Sequence, residues 1–179
     1  MLTTRDIVSQ ITADDVPFYF TEIQGQFFST RIMTKDELSF FGRKDAEEKP
    51  LGVYLLDAPI DEVLEHLRKE SQYNVDTVIE LISTKYNAKI INCQVIITFM
   101  ILHEIGHWRH FIETGMTGKD YWSCYGVEED MLIKQYYALV YLNQSSATQI
   151  HEHFASQYRH LPMEVIADEY ALSELSKYI

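Results

Sequence analysis

Cysteine, proline and glycine are scarce in this chain, which has 2, 4 and 7 of them among its 179 residues. No flexible linker, internal repeat or low-complexity tract appears along it. A chain of this length in which 46% of the residues are apolar can bury one core. We therefore expect a single domain over residues 1–179.

The cysteines and the short apolar runs indicate where the protein works. Cys93 and Cys124 are single and form no metal-binding or disulfide pattern, which is consistent with a reducing compartment. The longest apolar run is far shorter than the ~20 residues that a membrane-spanning helix needs. The first residues lack the charged and then apolar design of a signal peptide. We expect a cytoplasmic protein that does not bind membranes.

Positive charge is also scarce, with 15 lysines and arginines against 27 aspartates and glutamates and a formal net charge of -12. Acidic side chains cluster at residues 45–48 and 128–130, where a solvated surface is the simplest interpretation. An acidic surface repels phosphate backbones. We therefore expect no nucleic-acid partner.

The most informative motif is the pentapeptide H-E-I-G-H at residues 103–107. On a helix, His103 and His107 lie on one face a turn apart, so both imidazoles can reach one metal ion. Glu104 lies beside them, where a carboxylate can take a proton from a metal-bound water. An ordinary amphipathic helix can contain this pentapeptide by chance. However, the preceding residues 95–102 are apolar on every side, which indicates a buried helix fixed by packing.

The glycine inside the motif needs its own explanation. Gly106 costs a helix about 1 kcal/mol relative to alanine. Such a residue makes sense where another backbone or a substrate approaches the helix closely. Thr114 and Gly115 then provide a plausible end for the helix.

A zinc peptidase also needs a third protein ligand, with the fourth position left to water. Residues 162–171 read P-M-E-V-I-A-D-E-Y-A and place Glu164 and Asp168 on one helical face. We predict that Glu164 binds the metal and that Asp168 accepts the free N–H of a ligand histidine, His103. The alternative is a surface helix rich in acidic residues. Apolar residues favour a half-buried helix, in which a carboxylate needs a partner; they are Val165, Ile166, Ala167 and Leu172.

The two motifs together resemble those of the gluzincin zinc metallopeptidases, the class that includes thermolysin. The finer pattern, H-E-I-G-H and later E-x-x-A-D-x-Y-A, is similar to that of the compact intracellular ImmA/IrrE-like peptidases. The resemblance covers residues 90–175. It implies a Zn²⁺ ion bound by His103, His107 and Glu164, with Glu104 as catalytic base and Asp168 behind a ligand. The chain departs from that family in the long segment between the motifs and in lacking a hydrophobic, proline-ended extension after the second.

Other histidines offer rival ligand sets. A metzincin has its third histidine six residues after the second, but position 113 is Glu113. The spacing of His110 fits no familiar peptidase, so a flanking polar role is expected. His151 and His153 form an H-x-H pair that could bind metal on a strand. In a helix they diverge, and surface positions are then expected.

Apolar periodicity predicts the elements of the first half. Alternation predicts strands at residues 26–33 and 52–56, and a short strand at residues 89–92. One helix is predicted to open at residues 57–59 and another at Asn74 or Asp76.

The second half is predicted to be helical after Gly126. The predicted helices cover residues 128–143, 145–159 and 161–178, with Ser145 or Ser146 as the cap of the second. The expected fold class is therefore α+β, a mostly helical zincin-like domain with a small N-terminal sheet. Residues 1–92 would form its mixed part, and residues 93–179 the helical part that carries the metal site.

Peptide hydrolysis has two further requirements. The oxyanion needs a donor besides the metal, usually a tyrosine or a histidine; the candidates are Tyr121, Tyr125, Tyr158 and His160. Zinc peptidases of this plan also bind substrate along an exposed sheet edge by main-chain pairing. The sequence does not select among these tyrosines and the histidine, or among the strands.

Two functions from different classes are compatible with these patterns. The first is a zinc-dependent peptidase that hydrolyses a peptide bond in an intracellular protein or peptide, with Glu104 as general base. The second is a non-catalytic interaction protein that keeps zinc for stability and binds a partner through its acidic surface. Glu104 favours the first, because a structural zinc site needs no base.

Overall fold

The strands of the first half form a small mixed sheet. The structure, a computed structural model, describes residues 1–22, 28–43, 47–86, 88–142 and 147–179. In the sheet, the central strand β3 (Gly52–Leu56) pairs parallel with β1 (Phe18–Thr21) and antiparallel with β2 (Phe28–Arg31). Val53 and Leu55 are fully buried while the side chain between them is half-buried, so one face of β3 lies on the core.

Three helices accompany this sheet. They are α1 (Thr4–Val8), α2 (Lys35–Phe40) and α3 (Ile60–Lys85), and the first two begin with capping boxes. Within α3 the backbone leaves the helical conformation at Ser71, with φ -156° and ψ 90°. The Ser71 hydroxyl accepts the N–H of Asn74 at 3.3 Å, as a helix N-cap does. The two helices predicted here are therefore two segments joined at a kink.

Helices make up the rest of the described chain. They are α4 (Cys93–Thr114), α5 (Gly118–Tyr125), α6 (Val127–Leu142), α7 (Ala147–Tyr158) and α8 (Pro162–Leu175). The side chain of Asn92 caps α4, and Gly115 ends it in the left-handed conformation with φ 64°. The predicted end of the motif helix is confirmed, and Pro162 occupies the first turn of α8 as expected.

One predicted element is wrong and several are incomplete. Residues 89–92 do not form a strand: Ala88–Ile90 is a short 3₁₀ turn, and Asn92 is committed to capping α4. The predicted strand at residues 26–33 appears as β2, while residues 26 and 27 lie outside the described residues. The predicted caps Ser145 and Ser146 also lie outside them.

The buried helix α4 is the centre of the fold. It contacts α3, α8, β2 and β3, and five of its apolar side chains are almost wholly buried; they are Ile97, Phe99, Ile101, Leu102 and Ile105. The predicted α+β class, mostly helical with a small sheet in the N-terminal part, is confirmed. Within the described ranges, none of the helices combines the length and the apolarity that crossing a bilayer requires.

The glycine of the motif lies at a close contact between α4 and α8. A Cβ atom on Gly106 would lie 2.9 Å from the Cα of Ala167 on α8, closer than real contacts of this kind. Ala167 and Ala171 are themselves fully buried. The expectation that another backbone approaches Gly106 is therefore confirmed, and small residues on both helices allow their main chains to cross in contact.

Candidate metal centre and active-site cleft

The crossing of α4 and α8 brings three potential metal ligands together. His103 and His107 extend from α4 and Glu164 from the first turn of α8. The two Nε2 atoms are 3.0 Å apart, and each lies 3.3 Å from a carboxylate oxygen of Glu164. Ligand atoms of a tetrahedral zinc ion with bonds of about 2.0–2.1 Å lie about 3.3 Å apart. The two nitrogens therefore lie at about this spacing from each other and from the carboxylate of Glu164, His103 from its Oε2 and His107 from its Oε1.

The chemistry of these donors also calls for a cation. His103 and Glu164 are buried, and burial acts against the charged form of each. Against this effect of burial, hydrogen bonds to Asp168 and Glu164 and the charges of Glu164 and Glu104 raise the pKa of His103 to about 9. Hydrogen bonds to His103 and His107 and their charges hold the pKa of Glu164 well below its usual value. A proton shared between His103 and Glu164 therefore lies where the lone pairs of the three side chains converge. A divalent cation would accept the same lone pairs.

The potential ligands His103, His107 and Glu164 are called the triad below. Asp168 contacts His103 of the triad, as predicted. Its Oδ1 accepts the Nδ1–H of His103 at 2.8 Å, which directs the Nε2 lone pair toward Glu164 and His107. The same oxygen accepts a 2.6 Å hydrogen bond from Arg159, which follows α7. No motif in the sequence indicates Arg159, because only the packing of the chain before α8 brings it here.

Substituting Asp168 tests this contact. In Asp168→Ala the imidazole of His103 is free to rotate and loses basicity, so we expect zinc affinity or activity to fall by about 10–100-fold. Glu169→Ala is the matched control, because Glu169 is exposed and lies about 100° around the helix. Competitive zinc titration measures the affinity. Equal losses in both variants would indicate general disruption of α8 instead.

Glu104 lies next to the first ligand and is held from the sheet. The hydroxyl of Thr30 on β2 donates to Oε2 of Glu104 at 2.8 Å and lies at the same distance from its carbonyl oxygen. This contact fixes one carboxylate oxygen against the edge strand. The carboxylate is thereby oriented in the cleft that also exposes the triad.

The triad and Glu104 face one large cleft of about 730 Å³. Its walls come from the edge strand β2, from α4 and from the segments around α5, α6 and α8. Residues 28–33 form one side of it, so the edge of β2 runs beside the triad. A cleft of this size can admit several residues of an extended peptide.

The candidates for an oxyanion donor separate on position. Tyr121 and Tyr158 line the cleft, whereas Tyr125 and His160 do not. The hydroxyl of Tyr121 lies 2.7 Å from Nδ1 of His110, which follows the potential ligand His107 in the sequence. Burial of Tyr158, together with the charge of Glu164, raises the pKa of its phenol well above the ordinary tyrosine value.

The remaining histidines do not join the triad. His110 contacts Tyr121, as a flanking polar residue would, and His151 and His153 lie on α7. Among the residues that the structure describes, no second group of three His, Cys, Asp or Glu side chains converges on one point. The rival ligand sets therefore have no geometric support in these ranges.

One further ionisable group of the cleft is absent from the sequence prediction. Glu129, within an acidic cluster interpreted as solvated surface, is half-buried on the first turn of α6 and lines the cleft. Burial, the charge of Glu164 and the charge of Asp130 raise its pKa to about 7, against smaller opposing effects of His107 and Arg43. The interpretation as free surface is therefore wrong for Glu129.

The raised pKa predicts a pH-dependent cost of keeping Glu129. Its folded-state pKa of about 7 exceeds the ordinary 4.5, so the folded chain retains a proton that the unfolded chain releases. The contribution to stability is full below pH 4.5 and is lost as the pH rises through 7. We expect the thermal midpoint of metal-free Glu129→Gln to gain on wild type between pH 5 and 8. The exposed neighbour serves as control in Glu128→Gln, and a constant offset across this range would contradict the assignment.

Comparison of the chain with protein-family models, with curated proteins and with solved structures gave no match. The function of the site must therefore be argued from its residues.

Proposed function

We propose that this protein is a zinc-dependent peptidase of the gluzincin type, acting on a protein or peptide in the cytoplasm. The observation that carries the proposal is the convergence of His103, His107 and Glu164: the two Nε2 atoms are 3.0 Å apart, and each lies 3.3 Å from one oxygen of Glu164, in the cleft that Glu104 also lines. A structural zinc site has its fourth position closed by the protein. Here the three donors face an open cleft, which supports a catalytic site.

The proposed chemistry divides between the metal and the chain. His103, His107 and Glu164 would hold a zinc ion, which when bound would acidify a water molecule and polarise the scissile carbonyl as a Lewis acid. Glu104 accepts the proton of the attacking water and returns it to the leaving amine. Thr30 keeps that carboxylate on the cleft side of α4 through its 2.8 Å hydrogen bond.

Tyr158 is the donor best positioned to stabilise the oxyanion. Tyr158 lines the cleft together with Glu164, whose charge acts on its phenol. A raised pKa keeps the phenol protonated at neutral pH, as a hydrogen-bond donor must be. Tyr121 also lines the cleft, but its hydroxyl already contacts His110.

The edge strand supports a peptide as the substrate. In the described part of the chain, β2 pairs with β3 on one side only, and its residues line the cleft. Free main-chain N–H and C=O groups along such an edge can pair with an extended peptide. A peptide bound there passes the triad and Glu104 with its main chain held in place.

Removing and restoring zinc tests the proposed function. The purified protein should carry about one zinc per chain and should generate new peptide termini in a pool of denatured cytoplasmic proteins, detected by mass spectrometry. Chelation should stop the cleavage, and one equivalent of zinc, but not of magnesium or calcium, should restore it. A zinc-loaded protein that produces no new termini would favour the interaction protein instead.

A further inference from the structure

One carboxylate of the cleft has no role in the chemistry described above. Glu129 lines the same cleft as the triad and is half-buried. Among the described residues, none donates a hydrogen bond to its side chain or forms an ion pair with it. Burial and the charge of Glu164 nevertheless act against its ionised form.

The neighbouring acidic residue shows what a carboxylate that serves the fold looks like. Asp130 accepts a 3.1 Å hydrogen bond from the indole N–H of Trp122, and Arg43 lies 3.9 Å from its other oxygen. Glu128, on the other side, is exposed to water. Acidic residues in the first turn of a helix are favoured by the helix dipole, and these two already satisfy that preference. Glu129 alone turns into the cleft without a partner.

A half-buried carboxylate without a partner costs stability, and a cation placed against it removes that cost. We propose that Glu129 binds a positively charged group of the substrate, so that the peptidase selects peptides carrying an ammonium or guanidinium group near the scissile bond. This inference rests on the proposed function. The group can be a lysine or arginine side chain or the free amino terminus, since all three present N–H donors with a positive charge.

The inference is tested first by binding, with hydrolysis disabled. The zinc-loaded Glu104→Gln protein is incubated with two synthetic peptide libraries, and bound peptides are sequenced by mass spectrometry. One library is acetylated at its amino terminus and contains lysine and arginine at random positions. The other contains neither residue and has a free amino terminus in only a few per cent of its members, the rest being acetylated. The first detects a side-chain cation and the second a terminal one.

We expect bound peptides from one of the libraries to be enriched in the cationic group by about tenfold over the input. The enrichment should disappear in Glu104→Gln/Glu129→Gln and persist in Glu104→Gln/Glu128→Gln, which removes an exposed charge from the same turn. If cationic peptides are not enriched from either library, or if the enrichment survives Glu129→Gln, the inference is overturned.

Cleavage of the selected peptides by the zinc-loaded wild type then separates the two proposals. Cation-dependent binding without cleavage would leave the role of Glu129 intact and remove the peptidase assignment. Cleavage of peptides irrespective of charge, equally by wild type and Glu129→Gln, would leave the peptidase assignment intact and remove the role of Glu129.

Discussion

Replacing Glu104 with glutamine should abolish peptide hydrolysis while leaving the zinc content and the fold unchanged. The amide has nearly the same shape as the carboxylate, and its oxygen can accept the hydrogen bond of the Thr30 hydroxyl as the carboxylate does. It cannot accept the proton of the attacking water. A positioned general base contributes about 10²–10⁴-fold to a rate, so Glu104→Gln should cleave more slowly than wild type by that factor.

The measurement compares cleavage rates at equal zinc loading, with zinc content and thermal midpoint determined on the same samples. Glu113→Gln is a matched control, because Glu113 lies on the same helix α4 but is exposed and outside the cleft. If Glu104→Gln and wild type supported the same cellular function equally well, the enzymatic assignment would fall and an interaction role would replace it.

The second large effect is expected from removing a ligand. In Glu164→Ala or His103→Ala, zinc occupancy and thermal stability should fall together, because the metal loses one of three protein donors. The change also leaves a buried partner unpaired, and breaking a buried charged pair costs about 3–5 kcal/mol. His103 and Glu164 are both buried, so the partner that remains in either variant is a buried group.

Elemental analysis and thermal denaturation, each with and without a chelator, measure the two losses. Chelation should lower the stability of wild type markedly and that of Glu164→Ala little, since the variant has no zinc to lose. Glu169→Ala, exposed on the same helix, should behave as wild type. Full zinc occupancy with native stability in Glu164→Ala would mean that another residue is the third ligand.

The residues of the triad could be predicted from the sequence because each helix carries them in a local pattern. The spacing of His103 and His107 fixes their common face on any helix, and that of Glu164 and Asp168 does the same. Gly106 is unfavourable within a helix, and its presence there indicated that another backbone approaches closely. What joined the two patterns in advance was the resemblance to gluzincins, since no local rule brings two distant helices together.

The remaining parts depend on tertiary packing. Thr30 reaches Glu104 across from the sheet, and Arg159 reaches Asp168 from the end of α7. In the sequence, Glu129 cannot be distinguished from other acidic residues in the first turn of a helix. Only the folded structure places it in the lining of the cleft. The strand β1 is a different case: its sequence F-Y-F-T is rich in strand-forming residues, so the signal was available in the sequence.

The zinc ion proposed above would be a reversible cross-link between α4 and α8, which lie far apart in the sequence. Its ligands on the two helices converge in the folded state, so the ion would bind folded protein in preference to unfolded protein. By mass action, each tenfold rise in free zinc above the dissociation constant would then add about 1.4 kcal/mol to the free energy of unfolding. The folded population of this protein would thus follow the zinc supply of its surroundings. In zinc-poor cells the chain would unfold more often and be degraded sooner, whatever its rate of synthesis.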